Sequence, residues 1–214
     1  MTVAGVIFDL DGTLVDTESV AVQGGLAALE TLGYQGDAAL FHSLVGRDEA
    51  AGAAILCARF GADFPLDRVG ALWDAACDRL MAAQGLPVKP GVVALLDLLA
   101  ARAIPYAIAT SSRRARALAK LTLAGIAARF DTLVTFDDVT HPKPHPEPYL
   151  RAAAALRLAP ADCVVFEDSD VGAESAHRAG CIVMQIPDLV PGHGRFAHHT
   201  APDLLTGAAL VGLV

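Results

Sequence analysis

The segment VIFDLDGTLVD, Val6–Asp16, places two aspartates where an apolar run gives way to a glycine turn. Successive side chains on a β-strand point to opposite faces, so we expect Asp9 and Asp11 to point the same way, with Leu10 opposite. Two carboxylates held that close repel each other unless a cation lies between them or one of them keeps its proton. The segment therefore predicts a strand that ends in a chemical site.

Short apolar runs alternate with longer helical patterns along the rest of the chain. This alternation is typical of βαβ units, which build a doubly wound parallel sheet, so the predicted fold class is α/β. The expected strands are Val3–Phe8, Pro105–Ala109, Thr132–Val134, Val164–Phe166 and Ile182–Ile186.

One interval, from Ser19 to Gln84, contains helical patterns and no good strand. We predict an inserted α-helical cap domain over residues 16–85, and a core domain that comprises residues 1–15 and 86–214. Such an insert is expected over the carboxyl ends of the strands, where open α/β sheets bind ligands. The expected cap helices are Ser19–Leu32, Ala38–Leu44, Glu49–Phe60 and Leu66–Ala83.

The composition argues against a nucleic-acid-binding, membrane-spanning or secreted protein. A net charge of -8 over 214 residues disfavours binding to nucleic acid or to anionic membranes, which reward clustered lysine and arginine. No apolar run approaches the ~20 residues needed to span a bilayer, and the first residues lack the features of a signal peptide. We expect a soluble, cytoplasmic monomer.

The cysteines are widely spaced, without a CxxC pair, and we interpret them as core thiols: Cys57, Cys77, Cys163 and Cys181.

A second candidate segment is AIATSSRR, Ala107–Arg114, where an expected strand ends and a helix starts. The hydroxyl of Thr110 and the free N–H groups of a helix start suit a phosphate, and Ser111 and Ser112 add hydroxyls. The alternative is an ordinary serine N-cap. Arg113 could hold an anionic part of a substrate, although basic residues on a helix more often form a solvated face.

A third segment, HPKPHPEP, flanks Lys143 with prolines. Proline restricts the backbone, which favours a lysine that reaches a buried anion. His141 and His145 have a spacing compatible with a metal pair, but we expect the prolines to prevent the helical turn that would align them. We interpret both as loop histidines.

A fourth segment, CVVFEDSDVGAESAHRAG, is an apolar strand that ends in Glu167 and Asp168. Carboxylate oxygens at a strand end suit a hard cation such as Mg²⁺. An N-cap at Asp168 or Ser169 would explain one of these residues and leave the second carboxylate unexplained. The late histidines His193, His198 and His199 lie in a glycine-containing polar segment, which we expect to be a flexible surface loop without a functional role.

Together, DLDGT at 9–13, Thr110, Lys143 and Glu167-Asp168 resemble the four motifs of the haloacid dehalogenase superfamily, specifically its phosphatase branch. TLVDTE and EDSDVGAESAHRAG resemble most the group that contains β-phosphoglucomutase and small sugar-phosphate phosphatases. The resemblance implies a small phosphorylated metabolite as substrate, with Asp9 as nucleophile, Asp11 as general acid and base, and Thr110 and Lys143 as ligands of the phosphoryl oxygens.

The same resemblance implies that Mg²⁺ is held by Asp9, Asp168 and the backbone carbonyl of Asp11, with Glu167 as a direct or an indirect ligand. In the cap, LVGRDEA resembles the substrate-specificity loop of the family, with Gly46 as its turn and Arg47 as the residue that touches the substrate. An exposed arginine at a helix start is the alternative for Arg47.

Asp11 argues against a dehalogenase, because displacing a halide requires no protonated leaving group. A mutase stays an alternative, although Val20 and Ala21 stand where β-phosphoglucomutase carries a histidine, and Thr13 where it has a valine. A non-catalytic phospho-ligand binder on the same fold is a further alternative, but none of the expected catalytic groups is missing.

Overall fold

The computed structural model describes residues 3–44, 49–189 and 192–214. The chain divides into two compact units, Met1–Asp16 with Pro87–Val214, and Thr17–Leu86. The expected domains differ from these units by one residue at each boundary, and their roles as core and cap stay predictions. The helices, in chain order, are α1 Thr17–Thr31, α2 Ala38–His42, α3 Glu49–Phe60, α4 Leu66–Gln84, α5 Val92–Ala101, α6 Arg114–Leu123, α7 Glu147–Ala155, α8 Asp170–Arg178 and α9 Leu204–Leu210.

The discontinuous unit is built on a parallel sheet. The described residues form six strands in the order β3-β2-β1-β4-β5-β6, with every neighbouring pair parallel. They are β1 Gly5–Phe8, β2 Tyr106–Ala109, β3 Leu133–Val134, β4 Cys163–Glu167, β5 Ile182–Gln185 and β6 His199–Thr200. The predicted α/β class is confirmed.

The central strands are apolar throughout because both of their faces are covered. Every residue of β1 and β4 is buried, and Ile7 of β1 lies beside Ala107 of β2 and Val165 of β4. Tyr149 of α7 packs into the same core cluster as Ile7 and Val165. This packing fixes the positions at which β1, β2 and β4 end.

The segment that contains the late histidines differs from its prediction. His199 begins the short strand β6, which pairs with β5, and His198 accepts a hydrogen bond at Nδ1 from the backbone N–H of Val183. The ring of His198 stacks on His177, with centroids 5.3 Å apart. The expectation of a flexible loop is wrong at these two residues, because the edge of the sheet orders them.

The continuous unit, Thr17–Leu86, is helical in its described part. Aromatic side chains from separate elements fill its core: Phe41 packs edge-on against Trp73, and Phe60 stacks on Phe64. Trp73 donates its indole N–H to the backbone carbonyl of Ala21 at 2.7 Å, which ties α4 to α1. An indole N–H that is withdrawn from solvent needs such a partner.

No helix among the described residues is long and apolar enough to cross a membrane. No disulfide joins the four cysteines, all of which lie in the described ranges. Cys163 and Cys181 are buried as predicted, whereas Cys57 and Cys77 are only half-buried. The interpretation as core thiols is therefore right for the sheet unit and only partly right for the helical one.

Candidate active site

The carboxyl ends of β1, β2 and β4 meet at one edge of the sheet, since these strands are adjacent and parallel. Asp9 follows β1, Thr110 follows β2, and Glu167 is the last residue of β4 with Asp168 next. One oxygen from each of Asp9, Glu167 and Asp168 lies within 4.8 Å of the others. Three carboxylates from two strand ends thus share one site.

Lys143 reaches this cluster from the loop before α7. Its Nζ lies 2.6 Å from Asp9 Oδ1 and 2.7 Å from Glu167 Oε1. Only 5% of the side chain is exposed, and the ammonium also lies over the ring of Tyr149, 4.8 Å from its centroid. The proline-flanked lysine therefore pairs with buried anions in the same site.

Both oxygens of Glu167 already have hydrogen-bond donors. Oε1 accepts from Lys143 Nζ and, at 2.8 Å, from the hydroxyl of Tyr149. Oε2 accepts from the backbone N–H of Ser169 at 3.0 Å and from its hydroxyl at 2.9 Å. A carboxylate offers about four lone-pair positions, so these bonds occupy the acceptor capacity of Glu167.

Two glycines make room for the carboxylates. A Cβ on Gly172 would lie 1.6 Å from Glu167 Oε1, so any side chain at this position of α8 would displace the carboxylate. Gly12 has φ +80, and a Cβ there would lie 2.3 Å from Asp168 Oδ2. The glycine turn of DLDGT thus packs its backbone against the Asp168 carboxylate.

One lysine does not balance three carboxylates, two of them buried. Burial raises the pKa of Asp9 to about 7. Lys143 opposes this shift, and the negative charges of Glu167 and Asp11 add to it. Burial, followed by the charges of Glu167 and Asp9, raises the pKa of Asp168 well above its ordinary range. Burial also opposes ionisation of Glu167, but Lys143 outweighs it and lowers the pKa of Glu167. Hard oxygen donors with an excess of negative charge fit a divalent cation such as Mg²⁺.

Asp11 makes a separate set of contacts. Its Oδ1 accepts from Lys120 Nζ at 2.6 Å and its Oδ2 from the Ser112 hydroxyl at 2.8 Å. Lys120 also donates to the Ser112 hydroxyl at 3.0 Å, and the backbone N–H of Ser112 donates to Thr110 Oγ1 at 3.0 Å. Asp11 is thus tied to the end of β2 through its side chain, and the carboxylate cluster of Asp9, Glu167 and Asp168 does not include it.

The start of α6 differs from the expected phosphate cradle. The helix begins at Arg114, whose backbone N–H donates to Asp137 Oδ2 at 2.8 Å. Arg113 is 73% exposed, pairs with Asp137 at 3.0 Å and lies over the ring of Phe136. A carboxylate therefore already holds this helix start, and no serine caps it. Ser111 is exposed.

Two predicted cap residues, Gly46 and Arg47, lie outside the described residues. Their assignment to the substrate stays a prediction.

The two proline-flanked histidines are closer together than expected. The rings of His141 and His145 lie 4.5 Å apart, centroid to centroid, with an interplanar angle of 33°. As predicted, the prolines leave no helical turn here and both residues are loop histidines. The loop nevertheless brings the two rings together without a helix.

The motifs and the geometry of the site agree with a comparison of the chain with known protein families. A model of the haloacid dehalogenase-like hydrolase family matches residues 3–180. The chain belongs to this family. The predicted family and the prediction of an enzyme of the hydrolase class are both confirmed.

Several named relatives of this haloacid dehalogenase-like hydrolase are phosphatases. Hexitol phosphatase A of Escherichia coli is 35% identical over 199 residues, which cover 87% of this chain and 84% of the relative. A phosphorylated carbohydrates phosphatase of Thermotoga maritima is 33% identical over 175 residues, which cover 82% of this chain and 81% of the relative. Among solved structures, a family hydrolase from Deinococcus radiodurans with bound phosphate and sodium has a TM-score of 0.81 and 28% identity, covering 99% and 97% of the two chains.

Two residues of the hydrolase site were not predicted from sequence. Lys120 lies within α6, where a lysine usually faces solvent, so no local pattern marks it. Tyr149 lies in the first turn of α7, where the sequence indicates only an ordinary core aromatic. Both residues are distant in sequence from their partners, Asp11 and Glu167, and only the tertiary fold brings them together.

Proposed function

We propose that the chain is a Mg²⁺-dependent phosphatase that hydrolyses a small organic phosphomonoester, a sugar or polyol phosphate, through an aspartyl-phosphate intermediate. The observation that carries the proposal is Lys143, whose ammonium lies within 2.7 Å of both Asp9 and Glu167 beside Asp168. This arrangement offers a nucleophile, a fixed positive charge and a set of cation ligands at one strand edge. The phosphorylated-carbohydrate relatives support the substrate class.

In the first step, an oxygen of Asp9 attacks phosphorus and the bond from phosphorus to the substrate oxygen breaks. Asp11 donates its proton to the leaving oxygen, so the alcohol departs neutral. Lys143 and the hydroxyl of Thr110 receive phosphoryl oxygens, whose negative charge is the main obstacle to the attack.

In the second step, Asp11 takes a proton from water and the water oxygen attacks the phosphorus of the aspartyl-phosphate. Inorganic phosphate leaves, and the carboxylate of Asp9 is regenerated. Ser112 and Lys120 hold the Asp11 carboxylate through these two proton transfers.

Asp9, Asp168 and the backbone carbonyl of Asp11 would hold Mg²⁺, which when bound neutralises charge on the carboxylates and on the phosphoryl group. We assign Glu167 an indirect role, because its oxygens already accept from Lys143, Tyr149 and Ser169. Glu167 therefore orients Lys143 instead of binding the ion.

We further propose a cytoplasmic monomer without nucleic-acid or membrane partners, in keeping with the acidic net charge.

The test is phosphate release from a panel of hexose, hexitol and pentose phosphates and a chromogenic aryl phosphate, with Mg²⁺ and with EDTA. We expect Mg²⁺-dependent release, reduced at least ~10³-fold in Asp9→Asn. Asp11→Asn with the aryl phosphate is the matched control for the intermediate. A phenolate leaves without needing a proton, so the Asp9 carboxylate still attacks while water is not activated, and a phosphoenzyme that hydroxylamine cleaves should accumulate.

Release that survives Asp9→Asn would overturn the aspartyl nucleophile. Interconversion of sugar phosphates primed by a bisphosphate, without net release of phosphate, would identify a mutase instead.

A further inference from the structure

The loop HPKPHPE, residues 141–147, carries two histidines that the proposed phosphatase mechanism does not use. Prolines at 142, 144 and 146 restrict its backbone, and the rings of His141 and His145 lie 4.5 Å apart. Two exposed imidazoles held together this way lose little conformational freedom on binding a common partner. The loop is therefore a preorganised pair of nitrogen donors.

Glu147, at the start of α7, adds a fixed carboxylate to this pair. Oε1 accepts from the backbone N–H of Thr140 at 3.1 Å and from Arg151 Nε at 2.8 Å. Oε2 accepts from the backbone N–H of His141 at 2.9 Å. The backbone N–H bond from Thr140 comes first among the causes that lower the pKa of Glu147 to about 2, so the group is ionised at neutral pH.

The spacing of the donors suits one metal ion. His141 Nδ1 lies 3.2 Å from Glu147 Oε2, and two ligands at ~2.0–2.1 Å from a tetrahedral ion are about 3.3 Å apart. One ligand atom from each of His141, His145 and Glu147 lies within 4.8 Å of the others. His145 Nδ1 accepts a hydrogen bond from the backbone N–H of Glu147 at 3.2 Å, so this nitrogen is unprotonated, and an ion bound there would replace that bond.

We propose that His141, His145 and Glu147 form a binding site for a divalent transition-metal ion of the Zn²⁺ or Co²⁺ type, separate from the Mg²⁺ site. Two imidazoles and a carboxylate are typical ligands of Zn²⁺, whereas Mg²⁺ prefers oxygen. The exposure of His141, 61% of its side chain, leaves a position open to water. The backbone N–H groups and Arg151 that hold Glu147 are the kind of outer contacts that orient a metal ligand.

A bound ion would brace the segment on both sides of Lys143. The Lys143 side chain is directed to Asp9 and Glu167, while the histidines two residues before and after it are exposed. The two sites would therefore share a loop and use different side chains.

The test uses the tag-free full chain with saturating Mg²⁺, titrated with Co²⁺ under visible absorption and with Zn²⁺ by calorimetry. We expect one ion per chain, with the intense Co²⁺ band of a four-coordinate site. His141→Ala and His145→Ala should each weaken binding at least ~10-fold, and Glu147→Gln should also weaken it. His42→Ala is the matched control, since His42 is exposed and lies outside the cluster.

Circular dichroism and thermal melting of each variant check that it folds. The Asp9→Asn/Asp168→Asn double variant should bind Zn²⁺ as the parent does, which separates this site from the acidic cluster. Unchanged binding in His141→Ala and His145→Ala, or binding lost only in the double aspartate variant, would overturn the proposal.

Discussion

Asp9 and Asp11 each face a lysine, but the two neighbourhoods differ in burial and in charge. Around Asp9, the Lys143 ammonium reaches a group of three carboxylates, and the Lys143 side chain is 5% exposed. Around Asp11, the described residues bring one carboxylate, 32% exposed, to Lys120, and the Ser112 hydroxyl contacts both groups. The first group has an excess of negative charge that a cation would relieve, whereas the second is balanced by its own side chains.

This difference matches the division of labour in the proposed mechanism. A nucleophile must be ionised, and in the buried group only added positive charge can keep Asp9 ionised against desolvation. A group that transfers protons in both directions needs access to solvent or substrate and a well-defined position. Asp11 has both, because it is partly exposed and held at each oxygen.

The largest expected effect comes from removing the buried cation. Lys143→Met leaves Asp9 and Glu167 without their shared partner, and we expect a loss of ~3–5 kcal/mol in the free energy of unfolding, measured in urea with EDTA. Phosphate release should fall at least ~10²-fold. The matched control is Lys120→Met, where the pair is more exposed and the loss should stay under ~1 kcal/mol. Equal losses from both substitutions would show that the two neighbourhoods do not differ as described.

The next effect depends on pH. Because the folded protein raises the pKa of Asp9 to about 7, the folded state retains a proton that the unfolded state releases near pH 4. The contribution of the Asp9 carboxyl to the free energy of unfolding is therefore fully present below about pH 4. It is lost as the pH rises through about 7.

In EDTA, the wild type should therefore lose stability relative to Asp9→Asn between about pH 5 and about pH 8, on the order of 2 kcal/mol. Urea midpoints of both proteins across this range measure the difference, and saturating Mg²⁺ should abolish the trend. A constant difference at every pH would contradict the charge excess.

The sheet and the carboxylates at its edge could be predicted from sequence because of how the central strands are buried. Strands β1 and β4 are covered on both faces, so they read as continuous apolar runs that end in carboxylates. Parallel neighbours must then bring Asp9 and Glu167 to the same edge.

What the sequence missed depends on contacts between distant segments. Strand β6 is two exposed residues long, so it has no apolar pattern, and it forms only because β5 offers an edge. The contact of Lys120 with Asp11 joins residues 109 positions apart, and nothing local to α6 distinguishes this lysine from a solvated one. The convergence of His141 and His145 similarly depends on how the proline loop turns.

The smallest effect concerns Lys120 as a positioning residue. Among the described residues, Lys120→Met leaves Asp11 with the Ser112 hydroxyl as its side-chain hydrogen-bond donor, so the carboxylate should adopt its reactive position less often. We expect kcat to fall ~10-fold with little change in KM, and the pH-rate profile to shift because the charge beside Asp11 is gone. Lys120→Arg should restore part of kcat, since it returns the charge with a different geometry. A rise in KM with unchanged kcat would instead assign Lys120 to substrate binding, and would show that Asp11 is positioned by Ser112 alone.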